Sequence, residues 1–141
     1  MDDFAASAEL MNAALRGRPV MRLVIGHEVQ LEFSHADSYA AITLGGPFQL
    51  IGASGSIDDA DPAHPDTLGP ALRLLRSQLS EVAIADPGVL TATFADGRSV
   101  VIGPCDYEAW MFVGPGGSRV VCMPGGGLAY WLSADDAEVL W

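Results

Sequence analysis

Clusters of glycine and proline cut this chain into short apolar runs. They fall at Gly17-Arg18-Pro19, Gly26-His27, Gly45-Gly46-Pro47, Pro87-Gly88, Asp96-Gly97, Gly114-Pro115-Gly116-Gly117 and Pro124-Gly125-Gly126-Gly127. Runs this short cannot bury a helical stripe, but they have the length of strands, and turns of this chemistry join neighbouring strands antiparallel. VMRLVI and EVQLEF read as a hairpin around Gly26-His27, with Val24 facing Val29, Arg22 facing Leu31 and Val20 facing Phe33. YAAITL and FQLIGA read as a second pair around Gly45-Gly46. EVAIAD, VLTATF, RSVVIG, YEAWMFV, SRVVCM and LAYWL follow, with Asp96-Gly97 the strongest hairpin signal.

Two segments read as helix. Asp2 and Asp3 sit where acids favour a helix start, and Phe4, Ala8, Met11 and Leu15 recur at helical spacing. Gly17 and Pro19 then stop the helix. A second helix is expected from a cap at Asp66 or Thr67, burying Leu68, Leu72, Leu75 and Leu79. Ser133 and Asp136 make a capping-box-like start to a last helical turn. Residues 53–66, rich in aspartate and proline, read as a loop. The expectation is a single α+β domain over residues 1–141. It is mostly antiparallel sheet of about ten short strands, with an N-terminal and a central helix.

Charge excludes some partners. Eighteen acids against seven bases, all arginine, leave a net charge of −11. Phosphates of nucleic acid or anionic membrane are repelled by such a chain, whereas a basic protein is attracted. No run has the length and apolarity of a membrane span, and the acidic N-terminus does not read as an export signal. The two cysteines make neither a disulfide nor a zinc framework, so a reducing cytoplasm is the expected location.

Chemistry is sought at each reactive residue in turn. Cys122 lies mid-strand as a small hydrophobe, and Cys105 has Asp106 beside it in place of the cation a thiolate needs. With the turn centred on residues 115–116, Cys122 faces Ala109, roughly 13 Å along the strand from Cys105 and too far for a disulfide. His27, His35 and His64 have no metal-ligand spacing. Asp58, Asp59, Asp61 and Asp66 fail as a calcium loop, because Pro62 and Pro65 interrupt them and Gly69 stands at the twelfth position. The glycine-rich stretches precede strands and lack a lysine, so they are not phosphate cradles. GASGS at 52–56 ends in serine, not the glycine of a hydrolase elbow. No catalytic residue, cofactor site or metal site is expected.

What remains is surface. Asp58, Asp59, Asp61 and Asp66 offer carboxylates to a basic partner. Alternation in YEAWMFV puts Glu108, Trp110 and Phe112 on one face and Tyr107, Ala109, Met111 and Val113 on the other. Either this strand is covered on both sides or an aromatic is exposed, and an exposed aromatic beside Glu108 and Asp106, with Trp110 the candidate, would then anchor a protein partner.

Residues 107–131 read YEAWMFVGPGGSRVVCMPGGGLAYW, that is YEAW, then GPxG, then VVCxPGGG and a final aromatic. This block, with AITLGGPFQL upstream, resembles small, largely uncharacterised bacterial proteins, mainly from actinobacteria. Their general look is similar to immunity proteins that neutralise secreted bacterial toxins. That resemblance implies a non-catalytic protein-binding protein with a basic, toxin-like partner. The alternative is a small-ligand-binding domain whose curved sheet encloses an apolar pocket.

Overall fold

A computed structural model describes residues 2–34 and 39–132. Helix α1 (Asp3–Leu15) begins where Asp2 accepts a hydrogen bond from the Ala5 N–H at 2.8 Å, and ends before Gly17, whose φ is +81°. Ser7, Met11 and Leu15 form its buried stripe.

Eleven strands follow: β1 (Val20–Ile25), β2 (Val29–Phe33), β3 (Ala41–Leu44), β4 (Phe48–Ile51), β5 (Ile57–Ala60), β6 (Leu79–Ala85), β7 (Val89–Phe94), β8 (Ser99–Ile102), β9 (Trp110–Val113), β10 (Arg119–Cys122) and β11 (Leu128–Trp131). They form two antiparallel sheets, ordered β1-β2-β3-β9-β10-β11 and β5-β4-β8-β7-β6. The inner faces close on one core, in which Leu31, Ile42, Trp110, Phe112 and Val120 of the first sheet join Leu50, Leu90, Phe94, Val100 and Ile102 of the second. The mostly antiparallel architecture with a small helical part is therefore as expected, and several details differ.

The β1–β2 hairpin keeps Val20 opposite Phe33, but a bulge at Met21 shifts the rest, so Val24 faces Gln30 and Ile25 faces Val29. The connection becomes three residues, Gly26 to Glu28, because the bulge absorbs the extra one. YAAITL and FQLIGA are not a hairpin. β3 pairs with β2 and β9, while β4 pairs with β5 and β8 in the other sheet. At the crossing, the Gly45 and Gly46 N–H groups both donate to the Ala109 carbonyl, at 2.8 and 3.1 Å. A Cβ there would stand 3.2 Å from the Glu108 carbonyl oxygen or 3.3 Å from the Cys105 Sγ. These glycines serve close approach to another segment instead of a turn.

The loop expected at 53–66 contains β5, and the central α-helix is replaced by two 3-10 stretches, Pro65–Thr67 and Gly69–Leu74. Leu68, Ala71 and Leu74 are buried at a spacing of three, the 3-10 period, whereas Leu72 and Leu75 are exposed and Leu79 already belongs to β6. Of the two alternatives for YEAWMFV, Trp110 takes the covered one, which removes it as a partner contact: β9 is interior to its sheet and Trp110 is 1% exposed. His35 and the Ser133/Asp136 capping pair lie outside the described residues.

Candidate functional site

Register divides the strand ends between two poles of the molecule. One row across the first sheet runs Arg22, Glu32, Ala41, Val113, Arg119 and Trp131, so Arg22 and Arg119 stand toward one pole. Arg16 and Arg18 precede β1, Arg73 and Arg76 precede β6, and Arg98 sits in the β7–β8 turn, all toward that same pole. The other pole gathers the β1–β2 turn, the Gly45–Pro47 crossing, the segment after β5, the β6–β7 turn, the link from β8 to β9 and the β10–β11 turn. It carries Glu28, Asp61, Asp66, Asp86, Asp106 and Glu108 and, among the seven arginines of the chain, none.

The ion pairs lie toward the arginine pole: Arg22–Glu32 at 3.0 Å, Arg73–Asp58 at 3.4 Å and Arg98–Asp96 at 3.2 Å. Among the described residues, no carboxylate of the acidic pole has an ion pair.

The acidic pole is held in shape by its own backbone. The Asp61 Oδ1 accepts the Ala63 N–H at 2.9 Å, and the His64 N–H donates to the Asp61 carbonyl at 2.8 Å. The Thr67 hydroxyl accepts the Asp61 N–H at 2.9 Å and donates to the His64 carbonyl at 2.7 Å. Pro62 and Pro65 stiffen the same seven residues. Opposite them, the Gly125 N–H donates to the Cys105 carbonyl at 2.7 Å, which ties the 103–109 link to the β10–β11 turn.

Two openings flank this loop. A groove of about 640 Å³ runs between Gly26, His27 and Gly45 on one side and Pro62, Ala63 and Pro65 on the other, with Tyr107 in its lining. Tyr107 is 51% exposed. Partial burial, then the Cys105 thiol, Asp61 and Asp106 push its phenol above the ordinary value of 10.0. A second cleft of about 470 Å³ lies over the outer face of the β5-β4-β8 sheet, lined by Phe48, Gln49, Asp59, Asp61, Thr67 and Val101 among others. The space between the two sheets is filled by side chains, so neither opening is the enclosed pocket of a ligand-binding barrel.

The six residues singled out as partner contacts therefore part company. Asp61, Asp66 and Glu108 lie toward the acidic pole, where Asp61 lines one cleft with Asp59 and Glu108 lines another opening with Glu28. Asp58 faces the other way and pairs with Arg73. Trp110 is buried, its indole N–H donating to the Gly88 carbonyl at 2.9 Å, and offers nothing to a partner. Tyr107, not Trp110, is the exposed aromatic of the YEAWMFV run, beside Asp106 and Glu108, and Glu28 joins the site unforeseen, since nothing local marks it. Only strand order brings a β1–β2 turn residue beside residues 106–108.

The cysteines are free thiols. Cys122 is buried, and burial, followed by Cys105, pushes its thiol above the ordinary 9.0. β10 pairs Val121 with Met111, one residue from the register expected, and Cys105 lies close enough to Cys122 to act on its titration. Among the described residues, no three His, Cys, Asp or Glu side chains are grouped to hold a metal ion, and no helix is long and apolar enough to cross a membrane.

No curated protein and no solved structure matches the chain. Residues 11–132 match the profile of the Family of unknown function (DUF6188), and the chain belongs to that family.

Proposed function

We propose that this domain is a protein-binding module that receives a basic protein on its acidic pole. The observation that carries the reading is the separation of charge. Asp61, Asp66, Asp106, Glu108 and Glu28 share a pole without an arginine, while Glu32, Asp58 and Asp96, toward the other pole, are paired with arginines. Unpaired carboxylates held on a rigid loop attract a cationic surface from a distance and lose little entropy on meeting it. In its finer form, the proposal makes the partner a basic toxin and this chain the cytoplasmic immunity protein that occludes it. The net charge of −11 supports that form.

The test uses the tagged full chain as bait in a lysate of its source at low salt, beside a variant carrying Asp59→Asn, Asp61→Asn, Asp66→Asn and Glu108→Gln. The parent should retain a stoichiometric basic partner. The variant should associate with it at least about tenfold more slowly at low ionic strength, since steering by charges at the edge of an interface acts on association. The difference should close near 1 M salt, where the Debye length is about 3 Å. A parent that holds no stoichiometric partner, or equal association rates at low salt, rejects the reading.

A further inference from the structure

We propose that Cys105 and Cys122 are a redox-sensitive pair: a peroxide oxidises Cys105, and Cys122 then closes a disulfide on it, fastening the 103–109 link to β10. The β9–β10 register sets Val121 opposite Met111, so the next pair along puts Cys122 opposite Trp110 and beside Ala109. Cys105 reaches the same residue, since a Cβ placed on Gly46 would meet the Cys105 Sγ at 3.3 Å and the Ala109 Cα and Cβ at 3.8 Å. A Cβ placed on Gly88 would meet the Cys122 Sγ at 3.2 Å and the Cγ of Pro104, the neighbour of Cys105, at 3.7 Å. The Cys105 carbonyl also accepts the Gly125 N–H at 2.7 Å, which holds its backbone at the turn that follows Cys122. The two thiols are therefore neighbours in space, although β9 and a turn separate them in the chain.

The pair divides the work by access. Cys105 is partly exposed on a link without strand pairing, whereas Cys122 is fully buried in β10. Burial keeps the Cys122 thiol protonated and away from solvent, so an oxidant meets Cys105 first. Each thiol is held only by a weak bond, Cys105 to the Tyr107 carbonyl at 3.5 Å and Cys122 to the Gly88 carbonyl at 3.7 Å. The 103–109 link can shift toward β10 without breaking a strand ladder. Asp106 and Glu108 beside Cys105 repel anionic oxidants such as glutathione disulfide, but not a neutral peroxide.

The Cys105 sulfur, as its thiolate, takes one oxygen of the peroxide. The O–O bond breaks, and the released hydroxide leaves as water with the thiol's proton. The Cys122 sulfur then displaces hydroxide from the sulfenic sulfur of Cys105, and its own proton completes a second water. Two electrons pass from the sulfur pair to the peroxide, and a dithiol reverses the change by exchange.

The test exposes the native full chain to hydrogen peroxide, quenches with catalase, denatures it, and counts maleimide-reactive thiols by intact mass. The parent should lose both labels as a monomer two hydrogens lighter, and dithiothreitol should restore both. Cys105→Ser should keep its Cys122 label under the same exposure, and Cys122→Ala should hold a sulfenic acid at Cys105 that dimedone captures. A parent that keeps both labels overturns the inference. So does a parent that gains oxygen on Cys105 while Cys122 stays free, or one whose disulfides join two chains.

Discussion

Trp110 is the residue where local pattern and tertiary environment are most in tension. Beside Glu108 and in a strand with aromatics on both faces, it has the composition of a binding anchor, yet its neighbours across the sheet seal it in. The indole N–H donates to the Gly88 carbonyl, which the Cys122 thiol also approaches at 3.7 Å, so the β6–β7 turn is fastened to β9 and β10 through one buried group. Removing the N–H leaves a buried carbonyl short of its strong donor and opens space besides. Trp110→Phe should cost about 2–3 kcal/mol of stability in denaturant titration. A loss below about 0.5 kcal/mol, the range of an ordinary surface substitution, would show that this hydrogen bond does not hold the pole together. Ser7 makes the opposite case: its buried hydroxyl has no hydrogen-bond partner among the described residues, so nothing polar is satisfied there for the core to lose.

At the scale of elements, the edges of the sheets explain why α1 exists. β6 ends its sheet and would present open backbone groups to any other strand. Asn12 closes them from the helix: its side-chain amide donates to the Val82 carbonyl at 2.9 Å, and its oxygen accepts the Val82 N–H at 2.7 Å. Arg16 adds a bond from its Nε to the Ser80 carbonyl at 3.2 Å. One asparagine thus stands in for the next strand. Asn12→Ala should cost about 1–3 kcal/mol, the penalty of unpaired buried backbone groups, and should speed amide hydrogen exchange at Val82 well before global unfolding. Unchanged exchange at Val82 would mean that water replaces the side chain without loss. The segment before β6 carries the same lesson in sequence terms. Its leucines suit a helix of 3.6 residues per turn, but Pro70 lies one residue into the second stretch and the core accepts the set at spacing three instead.

For the whole molecule, the decisive property is the direction of its charge. Neutralising Asp61, Asp66, Asp106 and Glu108 to their amides takes the formal charge from −11 to −7, and neutralising Asp2, Asp3, Glu9 and Glu81 does the same. The two variants differ only in where the charge was removed. The first should elute from an anion-exchange column at lower salt than the second, because an ordered patch of like charge binds a surface better than scattered charges of equal sum. Both should keep the fold, since the amides retain the oxygens with which Asp2 caps α1 and Asp61 accepts the Ala63 N–H, and the other acids make no described side-chain bond. Coincident elution would show that the acidic pole has no field of its own.

Sequence alone settled the strand-rich class, the antiparallel pairing at Asp96-Gly97 and Gly26-His27, and both boundaries of α1. Each of these is enforced by a dihedral or a hydrogen bond within a few residues. Gly97, for example, takes φ +90° and donates to the Phe94 carbonyl at 3.0 Å, a turn that needs no distant partner. Tertiary structure decided the rest. Gly45-Gly46 carries the same local signal as a hairpin turn, but the Ala109 carbonyl accepts both of its N–H groups and sends β4 to the other sheet. The candidate site divides in the same way. The acids after β5 were legible as a polar, proline-broken stretch, whereas their union with Glu28, Asp106 and Tyr107, and the burial of Trp110, depend on which strands lie side by side. Strand order is fixed by how two inner faces fill one core, and no window of the chain contains both faces.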